Sequence, residues 1–318
     1  AMSSDRLALV AGSSNPELSK DIAKYLGVPL GETVLGKFSD GETRVQILAN
    51  VRGMDVFLIQ PTCPPANDTL MELLIMIDAL KRASAKRITA VLPYYGYGRQ
   101  TTKSHYQSPI TAKLVADLIS KAGPDRILAL DLHAGQIQGF YSCPVDALKS
   151  DPVLLGYLRD KFPEDMAQEL VIVAPDASSI KRASRMAGRL DAKMALIDER
   201  GDGELHVVGD VAKHAVIVKD MIDTGASVVK AAETLQKAGA TNILVACTHA
   251  LLSGDCITRV NESIIAEVIV TDSTAQIQDR ELQELCPKLT VLSVASLMGE
   301  AIRRIHNEES VTALFRYE

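Results

Sequence analysis

Cysteine is scarce in this sequence, and its spacing argues against two classes of stabilised small domain. There are five cysteines among 318 residues, and no two of them form a CxxC pair. This pattern argues against a disulfide framework and against a zinc module, and it is typical of a protein from a reducing cytoplasm. The five are Cys63, Cys143, Cys247, Cys256 and Cys286.

Long hydrophobic runs and an excess of positive charge are also missing. The apolar stretches are four or five residues long, as at 56–59 and 127–130, whereas a membrane-spanning helix needs about 20. The first residues show no basic segment followed by an apolar run, so no signal peptide is expected. With 34 basic against 40 acidic residues, the net charge is −6. We therefore expect a cytoplasmic protein that neither enters a membrane nor binds nucleic acid.

Short apolar runs alternate with amphipathic stretches along the whole chain. Runs that are apolar at every position indicate strands buried on both faces, which are typical of mostly parallel sheets covered by helices. The sequence therefore predicts an α/β fold. The predicted strands are 7–10, 55–60, 87–92, 126–130, 170–174, 194–197, 215–218, 242–247 and 267–270, and long helical patterns include 67–83 and 228–237.

Two segments of the chain echo each other. The strand–helix–strand pattern at 56–91 resembles the one at 215–246, so one interpretation is a pair of similar α/β halves. The other interpretation is that any two units of this kind look alike. A length of 318 residues accommodates two domains. We place an N-terminal domain at 1–150 and a C-terminal domain at 151–305.

The strongest local signal follows the predicted strand at 215–218. Acidic residues Asp220 and Asp223 precede a turn of small residues, 224–227, that opens a helix. Unpaired N–H groups at a helix N-terminus suit a phosphate, and Asp223 is placed to accept hydrogen bonds from sugar hydroxyls. Ligands of open α/β sheets bind at the carboxyl ends of strands, where this loop lies. One interpretation is a phosphosugar site, and the other is an ordinary helix cap with surface acids.

This loop resembles the ribose-phosphate loop of the phosphoribosyltransferase fold, and further segments resemble one branch of that fold, the ribose-phosphate pyrophosphokinase family. The resemblance covers nearly the whole chain in the family's order. It implies two similar Rossmann-like domains, with residues 306–318 packing back on the first, and dimers assembled into a hexamer. The matching segments are 36–43 (GKFSDGET), 93–100 (PYYGYGRQ), 131–140 (DLHAGQIQGF), 174–176 (APD), 220–225 (DMIDTG) and 301–311 (AIRRIHNEESV).

The resemblance also implies a reaction and a set of site residues. Family members transfer the diphosphoryl group of ATP to ribose 5-phosphate with Mg²⁺, and AMP is released. From the residues alone, a packed Phe38, a solvated Arg99 and a structural His133 stay open as alternatives. The implied roles are adenine contacts offered to a neighbouring subunit's ATP (Phe38, Asp40 and Glu42), further ATP contacts (Arg99 and Gln100), metal binding (His133 and Asp176) and ribose 5-phosphate binding (Asp223, Thr224, Gly225, Ala226 and Ser227).

The chain departs from the family at charged positions. Glu199 stands where active members carry a lysine, and the segment 199–209 is shorter than the family's catalytic loop. Residues 101–108 lack charges expected there, and Gly135 stands where an acidic residue is common. Because a cation beside the transferring phosphates lowers the barrier, a carboxylate at position 199 predicts a loss of rate.

A second group of departures concerns the residues that would carry the chemistry. Lys219 replaces the first acid of the family's usual acidic pair, so a partner for sugar hydroxyls or hydrated metal is lost and a cation is gained. Lys103 and Lys181 are further sources of positive charge. The expected catalytic groups are Arg200, Lys219 and Asp220.

Three functions stay open on these residues. The first is a working but divergent ribose-phosphate pyrophosphokinase. The second is a related enzyme that transfers phosphate or diphosphate to a different ribosyl substrate. The third is a catalytically weak paralogue that binds nucleotide or sugar phosphate and assembles with, or regulates, an active partner. The intact binding loops favour the first function, and the missing lysine favours the other two.

Overall fold

The computed structural model of the chain describes residues 6–103, 105–199, 201, 203–278 and 284–314. These residues divide into two compact units. The first holds the described residues up to Lys149, the segment Ser273–Ala275 and the residues from Val294 onward, and the second holds Ser150–Asp272 and Gln276–Ser293. The helix at 295–306, which the sequence analysis assigned to the second domain, therefore groups with the first unit.

The first unit contains a five-stranded parallel sheet in the order β1-β4-β5-β6-β7 and a separate antiparallel hairpin, β2-β3. Its elements are β1 (Leu7–Ala11), α1 (Pro16–Leu26), β2 (Thr33–Lys37), β3 (Thr43–Ile47), β4 (Asp55–Ile59), α2 (Ala66–Arg82), β5 (Arg87–Leu92), α3 (Thr111–Ala122), β6 (Arg126–Leu130), β7 (Val145–Leu148) and α8 (Ala295–His306).

The second unit contains a seven-stranded sheet in the order β10-β9-β8-β11-β12-β13-β14, in which only the β9–β10 pairing is antiparallel. Its elements are α4 (Asp151–Lys161), β8 (Leu170–Ala174), α5 (Ile180–Arg189), β9 (Lys193–Glu199), β10 (Leu205–Val208), β11 (His214–Ile222), α6 (Ala226–Lys237), β12 (Asn242–Ala250), α7 (Cys256–Glu262), β13 (Ile265–Thr271) and β14 (Leu289–Leu292). The predicted α/β class with mostly parallel sheets is confirmed.

Burial on both faces explains why the central strands are apolar at nearly every position. All five residues of β4 and all five of β8 are buried. In the second unit, Val171 and Val173 of β8 belong to the hydrophobic cluster that includes residues of α6 and α7, while Ile172 and Ala174 belong to the cluster that includes residues of α4 and α5. Side chains alternate across a strand, so both sheet faces need an apolar layer. Full burial of one such side chain contributes about 1.5–3 kcal/mol.

Local signals set the ends of α1 and its packing against α8. Asn15 caps the helix by accepting a hydrogen bond from the Leu18 N–H at 3.3 Å, and Pro16 occupies the first turn. On α8, Gly299 faces the ring of Tyr25, and a Cβ at that position would lie 2.5 Å from the ring. A larger residue at position 299 would therefore have to displace the Tyr25 ring.

The parallel strands of the two sheets are arranged in the same sequence order. Strands β1-β4-β5-β6-β7 run in the same sequence order as β8-β11-β12-β13-β14, and each unit inserts a pair of strands, β2-β3 or β9-β10, after its first strand. The two echoing segments of the sequence are β4–α2–β5 and β11–α6–β12, which occupy equivalent places in this order. Among the described helices, none has the length and apolar character required to span a membrane.

Candidate functional site

The predicted phosphosugar loop connects β11 to α6 at the carboxyl edge of the second sheet. Its turn residue, Gly225, has φ +75° and precedes the first residue of α6. The loop carbonyls are held by the chain that follows β12: Leu251 N–H donates to Ile222 O and Ser253 N–H to Asp223 O, both at 2.9 Å. Because glycine has no side chain to cap the helix, the first turn of α6 depends on other groups, or on a ligand, for its N–H groups.

The side chains of this loop differ in exposure. Thr224, Ala226 and Ser227 are exposed, Asp223 is half-buried, and Gly225 is buried. Hydroxyl groups and backbone N–H groups are therefore presented together at the positive end of the α6 dipole. A carboxylate stands next to them. This arrangement suits a ligand with a phosphate at one end and hydroxyls at the other.

Lys219 reaches this loop from β11. Its Nζ donates to Ser227 Oγ at 3.2 Å and lies 3.2 Å from Asp176 Oδ2, and its side chain is only 19% exposed. Asp176 follows β8, the strand next to β11 in the sheet. The ammonium group therefore links the start of α6 to the end of the neighbouring strand. Asp220, the next residue, is half-buried at the same strand end.

Asp176 is held by a dense set of donors. Its Oδ1 accepts hydrogen bonds from Ser178 Oγ at 2.5 Å, Ser179 N–H at 3.0 Å and Ser179 Oγ at 2.9 Å. Burial raises the pKa of Asp176, but the Ser178 hydrogen bond and the Lys219 charge outweigh it, so the net pKa lies below its ordinary value. The carboxylate is therefore ionised and paired throughout the neutral range.

Arg182 is a site residue that sequence reasoning missed. It is buried at the start of α5, and its Nη1 donates to Lys219 O at 3.2 Å and to Thr248 Oγ1 at 2.8 Å. Sequence reasoning named its neighbour Lys181 instead, which is exposed. The run of basic residues after Asp176 was a signal for this position, but only the helix orientation shows which of them turns inward.

The ATP candidates of the first unit lie at the carboxyl edge of its sheet. Arg99 and Gln100 follow β5, and His133 follows β6, the parallel neighbour of β5. All three are exposed. Gln100 is hydrogen-bonded to Thr111 through their side chains. The strand ends thus present an exposed guanidinium and an imidazole on adjacent strands, which suits polyanionic ligands.

Phe38, Asp40 and Glu42 lie at the tip of the β2–β3 hairpin. The tip is closed by a hydrogen bond from Phe38 N–H to Glu42 O at 2.8 Å, and Asp40 Oδ1 accepts from Glu42 N–H at 3.0 Å. Phe38 is 53% exposed, and both acids are exposed. The tip therefore offers an aromatic face beside two carboxylates, the groups needed to stack on adenine and accept from its amino group.

The segment predicted to be a short catalytic loop is flanked by β9 and β10, which pair antiparallel. Glu199 ends β9 and pairs with Leu205 of β10. Lys230 Nζ donates to Gly203 O at 3.3 Å from α6. Glu199 is exposed, and Arg200 lies outside the described residues. The predicted roles of these two residues stay predictions.

The predicted metal ligands belong to different units, His133 to the first and Asp176 to the second. Across the described ranges, no group of three or more His, Cys, Asp or Glu side chains is placed to hold a metal ion. Mg²⁺ prefers several oxygen ligands, whereas Asp176 is occupied by hydroxyls and an ammonium and His133 offers nitrogen. These residues fit a preformed Mg²⁺ site poorly, and their metal role stays a prediction.

Two family models match the sequence. The N-terminal domain of ribose phosphate pyrophosphokinase matches residues 7–123, and the phosphoribosyl synthetase-associated domain matches residues 199–316. The ribose-phosphate pyrophosphokinase of Gloeobacter violaceus is 48% identical over 99% of this chain and 95% of its own length. That of Clostridium perfringens is 46% identical over 98% of both chains. The phosphoribosylpyrophosphate synthetase structure from Mycobacterium smegmatis has a TM-score of 0.90 and 41% identity, and the match covers 95% of this chain and 99% of that one.

Proposed function

We propose that the loop at 223–227 binds the sugar phosphate of the substrate, because this chain belongs to the ribose-phosphate pyrophosphokinase family. Enzymes of this family make phosphoribosyl diphosphate from ribose 5-phosphate and ATP. In the reaction, the 1-hydroxyl oxygen of the sugar bonds to the β-phosphorus of ATP. The bond between the β-phosphorus and the oxygen bridging it to the α-phosphorus breaks, AMP leaves, and the hydroxyl proton is released. The observation that carries the proposal is the open α6 N-terminus beside Asp223.

Each end of the sugar has a matching group in this loop. The N–H groups of the first turn of α6, with the Thr224 and Ser227 hydroxyls, bind the 5-phosphate. Asp223 accepts hydrogen bonds from ribose hydroxyls. Asp220 and Lys219 are the catalytic candidates in the same unit, and Arg200, the residue after Glu199 in the sequence, is the third candidate. Lys219 supplies positive charge beside the loop through its contact with Ser227.

ATP binding uses the first unit. We assign its phosphates to Arg99 and Gln100, and its adenine to the Phe38, Asp40 and Glu42 tip of another subunit. The exposure of that tip supports delivery across an interface. A homo-oligomer, with a hexamer as the family's arrangement, follows from this assignment. Light scattering at micromolar concentration with nucleotide present tests it, and a monomer would refute it.

Oligomer formation has a second supporting feature. Leu114 and Leu118 lie one turn apart on α3 and are 57% and 43% exposed. Neighbouring exposed leucines on one helix face are typical of a surface that another chain covers. We expect Leu114→Lys to shift the light-scattering mass to a smaller species, while Leu285→Lys, at an exposed leucine of the other unit, leaves it unchanged.

The family's use of Mg²⁺ extends to this chain as a proposal. Mg²⁺ is commonly held by substrate phosphates with several waters, so it can arrive with ATP without a dedicated protein site. We also place the reaction in the cytoplasm, because all five cysteines are free thiols. ATP and ribose 5-phosphate are the proposed small-molecule partners.

The decisive experiment supplies ATP, ribose 5-phosphate and Mg²⁺ and follows AMP release together with the mass of the diphosphate product. The same assay with other ribosyl phosphates tests the second function. Asp223→Ala should lose turnover, whereas Glu233→Ala, which removes an exposed acid from the middle of α6, should keep it. AMP release without a phosphoribosyl diphosphate product would refute the proposal.

The catalytically weak paralogue is a second candidate, and the β9–β10 hairpin favours it. Its ladder continues to Glu199, which places an exposed carboxylate where the family carries a cation. This paralogue would bind the same ligands and act within an assembly with an active relative. Nucleotide binding without turnover, and restored turnover on mixing with an active relative, would support it.

A further inference from the structure

Asp176 and Lys219 form an ion pair at the point where the family resemblance implies a metal. We infer that the Lys219 ammonium takes the place of a divalent cation at this carboxylate, and that Asp176 is a positioning residue for Lys219. The role of Lys219 toward the sugar phosphate rests on the proposed function. The competition between Lys219 and a metal ion does not.

The contacts of Asp176 leave little room for a metal. Oδ2 lies 3.2 Å from the Lys219 ammonium, and Oδ1 already accepts from Ser178 and Ser179. A divalent ion on Oδ2 would sit at about 2.1 Å from that oxygen, next to the ammonium group. A metal ion and an ammonium group at the same oxygen would repel each other, so a metal can bind to Oδ2 only if the Lys219 ammonium moves away.

Lys219 has little freedom to withdraw. Its side chain is 19% exposed, and its backbone carbonyl is held by the buried Arg182. It lies on β11, whose ladder with β12 includes Lys219 itself. The Lys219 side chain is therefore held at its Cα by the strand backbone and at its ammonium group by the Asp176 and Ser227 oxygens. It therefore behaves as a permanent cation of the site.

A permanent cation changes what the sugar-phosphate loop requires. The ammonium contacts Ser227 Oγ in the first turn of α6, so its charge adds to the helix dipole where a phosphate binds. Ribose 5-phosphate should then bind without any divalent ion. Removal of the Lys219 charge should weaken the binding of the sugar phosphate and, at the same time, allow a metal ion to bind to Asp176.

The test is a Mn²⁺ titration of the nucleotide-free, full-length enzyme, with free Mn²⁺ measured by electron paramagnetic resonance. Wild type and Asp176→Asn should bind Mn²⁺ equally, because Asp176 holds no metal while Lys219 is present. Lys219→Met should gain a Mn²⁺ site that binds at least tenfold more tightly than any site in wild type, and Lys219→Met/Asp176→Asn should lose that site. Lys219→Arg keeps the charge and should match wild type. Lys237→Met, which removes an exposed lysine at the far end of α6, is the matched control.

Wild-type Mn²⁺ binding that Asp176→Asn abolishes would overturn the inference. So would a Lys219→Met variant that binds Mn²⁺ like wild type. Circular dichroism checks the fold of each variant. If Lys219→Met does not fold, the comparison of wild type with Asp176→Asn decides the question by itself.

A calorimetric titration with ribose 5-phosphate in EDTA separates this inference from the proposed function. Lys219→Met should weaken binding at least tenfold, and Asp176→Asn should weaken it only when Lys219 is present. Equal effects of Asp176→Asn in both backgrounds would show that Asp176 does not act through Lys219. If Asp223→Ala binds the sugar phosphate like wild type, the sugar site lies elsewhere, while the Mn²⁺ result still decides which cation Asp176 holds.

Discussion

Gly225→Ala tests the turn that joins β11 to α6. Gly225 has φ +75°, and a Cβ added there would lie 3.0 Å from Cys256 Sγ. The left-handed conformation costs a residue with a side chain about 1–2 kcal/mol. Crowding against a buried neighbour adds about 1–3 kcal/mol. The variant should therefore be destabilised by about 2–5 kcal/mol.

Two measurements follow from that estimate. The midpoint of thermal unfolding of a unit of this size falls by about 2–4 °C for each kcal/mol of destabilisation, so it should drop by roughly 4–20 °C in this variant. Relief of the strain should shift the first N–H groups of α6, where we propose that the phosphate binds. Loss of one charge-assisted hydrogen bond costs about 1.5–3 kcal/mol, so the Kd for ribose 5-phosphate should rise at least tenfold by calorimetry.

Controls separate the two sources of strain. Gly225→Ala/Cys256→Ala removes the sulfur contact but keeps the unfavourable φ, so it should recover only part of the loss relative to Cys256→Ala. Gly188→Ala lies within α5, with open space around its added Cβ, and should raise stability by about 0.5–1 kcal/mol. An unfolding midpoint and a sugar-phosphate Kd for Gly225→Ala equal to wild type would refute the reasoning about this turn.

Three further predictions concern charge. Asp223→Ala should cost about 1.5–3 kcal/mol of ribose 5-phosphate binding without loss of fold, and unchanged affinity by calorimetry would move the sugar site elsewhere. Glu199→Lys should raise the rate of diphosphoryl transfer by about tenfold or less, because position 199 is exposed. If the wild-type enzyme turns over rapidly and Glu199→Lys lowers its rate, Lys219 or another cation stabilises the transition state instead. Hydrogen bonds from Arg303 and Arg304 lower the pKa of Glu300 to about 2 from 4.5, so Glu300→Gln should lose less than about 1 kcal/mol of stability near pH 7. That difference should shrink as the pH falls from 4.5 toward 2 in low-salt thermal melts, and a constant difference would contradict the assignment.

Most of the strands that the sequence predicted are buried on both faces, whereas β1, at a sheet edge, and β9, which is partly exposed, were predicted because each contains a run of four apolar residues. Strands such as β4 and β8 are apolar at nearly every position because helices cover both sides of each sheet. The strands β2, β3, β7, β10 and β14 were missed. In β2 and β3 only alternate residues are half-buried, and β7, β10 and β14 lie at sheet edges. An edge strand has one neighbour and a solvated side, so its pattern of apolar residues is weaker.

The internal echo was visible in sequence only where burial is strongest. The segments that resembled each other, β4–α2–β5 and β11–α6–β12, form the centres of the two sheets. The inserted strand pairs differ between the units: β2-β3 is separate from its sheet, whereas β9-β10 extends its sheet. Their residues face different surroundings, so a shared pattern is not preserved there.

The site illustrates a different limit of sequence reasoning. Strand ends and turn residues predict where ligands bind, because parallel strands place their carboxyl ends along one edge. They do not predict which side chains meet there. From the sequence, Lys219 was interpreted as the loss of an acid and the gain of a cation, with no partner identified for its ammonium group. In space β8 lies beside β11 although β9 and β10 separate them in the chain, and this adjacency brings Asp176 to Lys219. Position 219, which the sequence presents as the loss of an acid, is therefore in space the position that gives the carboxylate of the neighbouring strand end its cation.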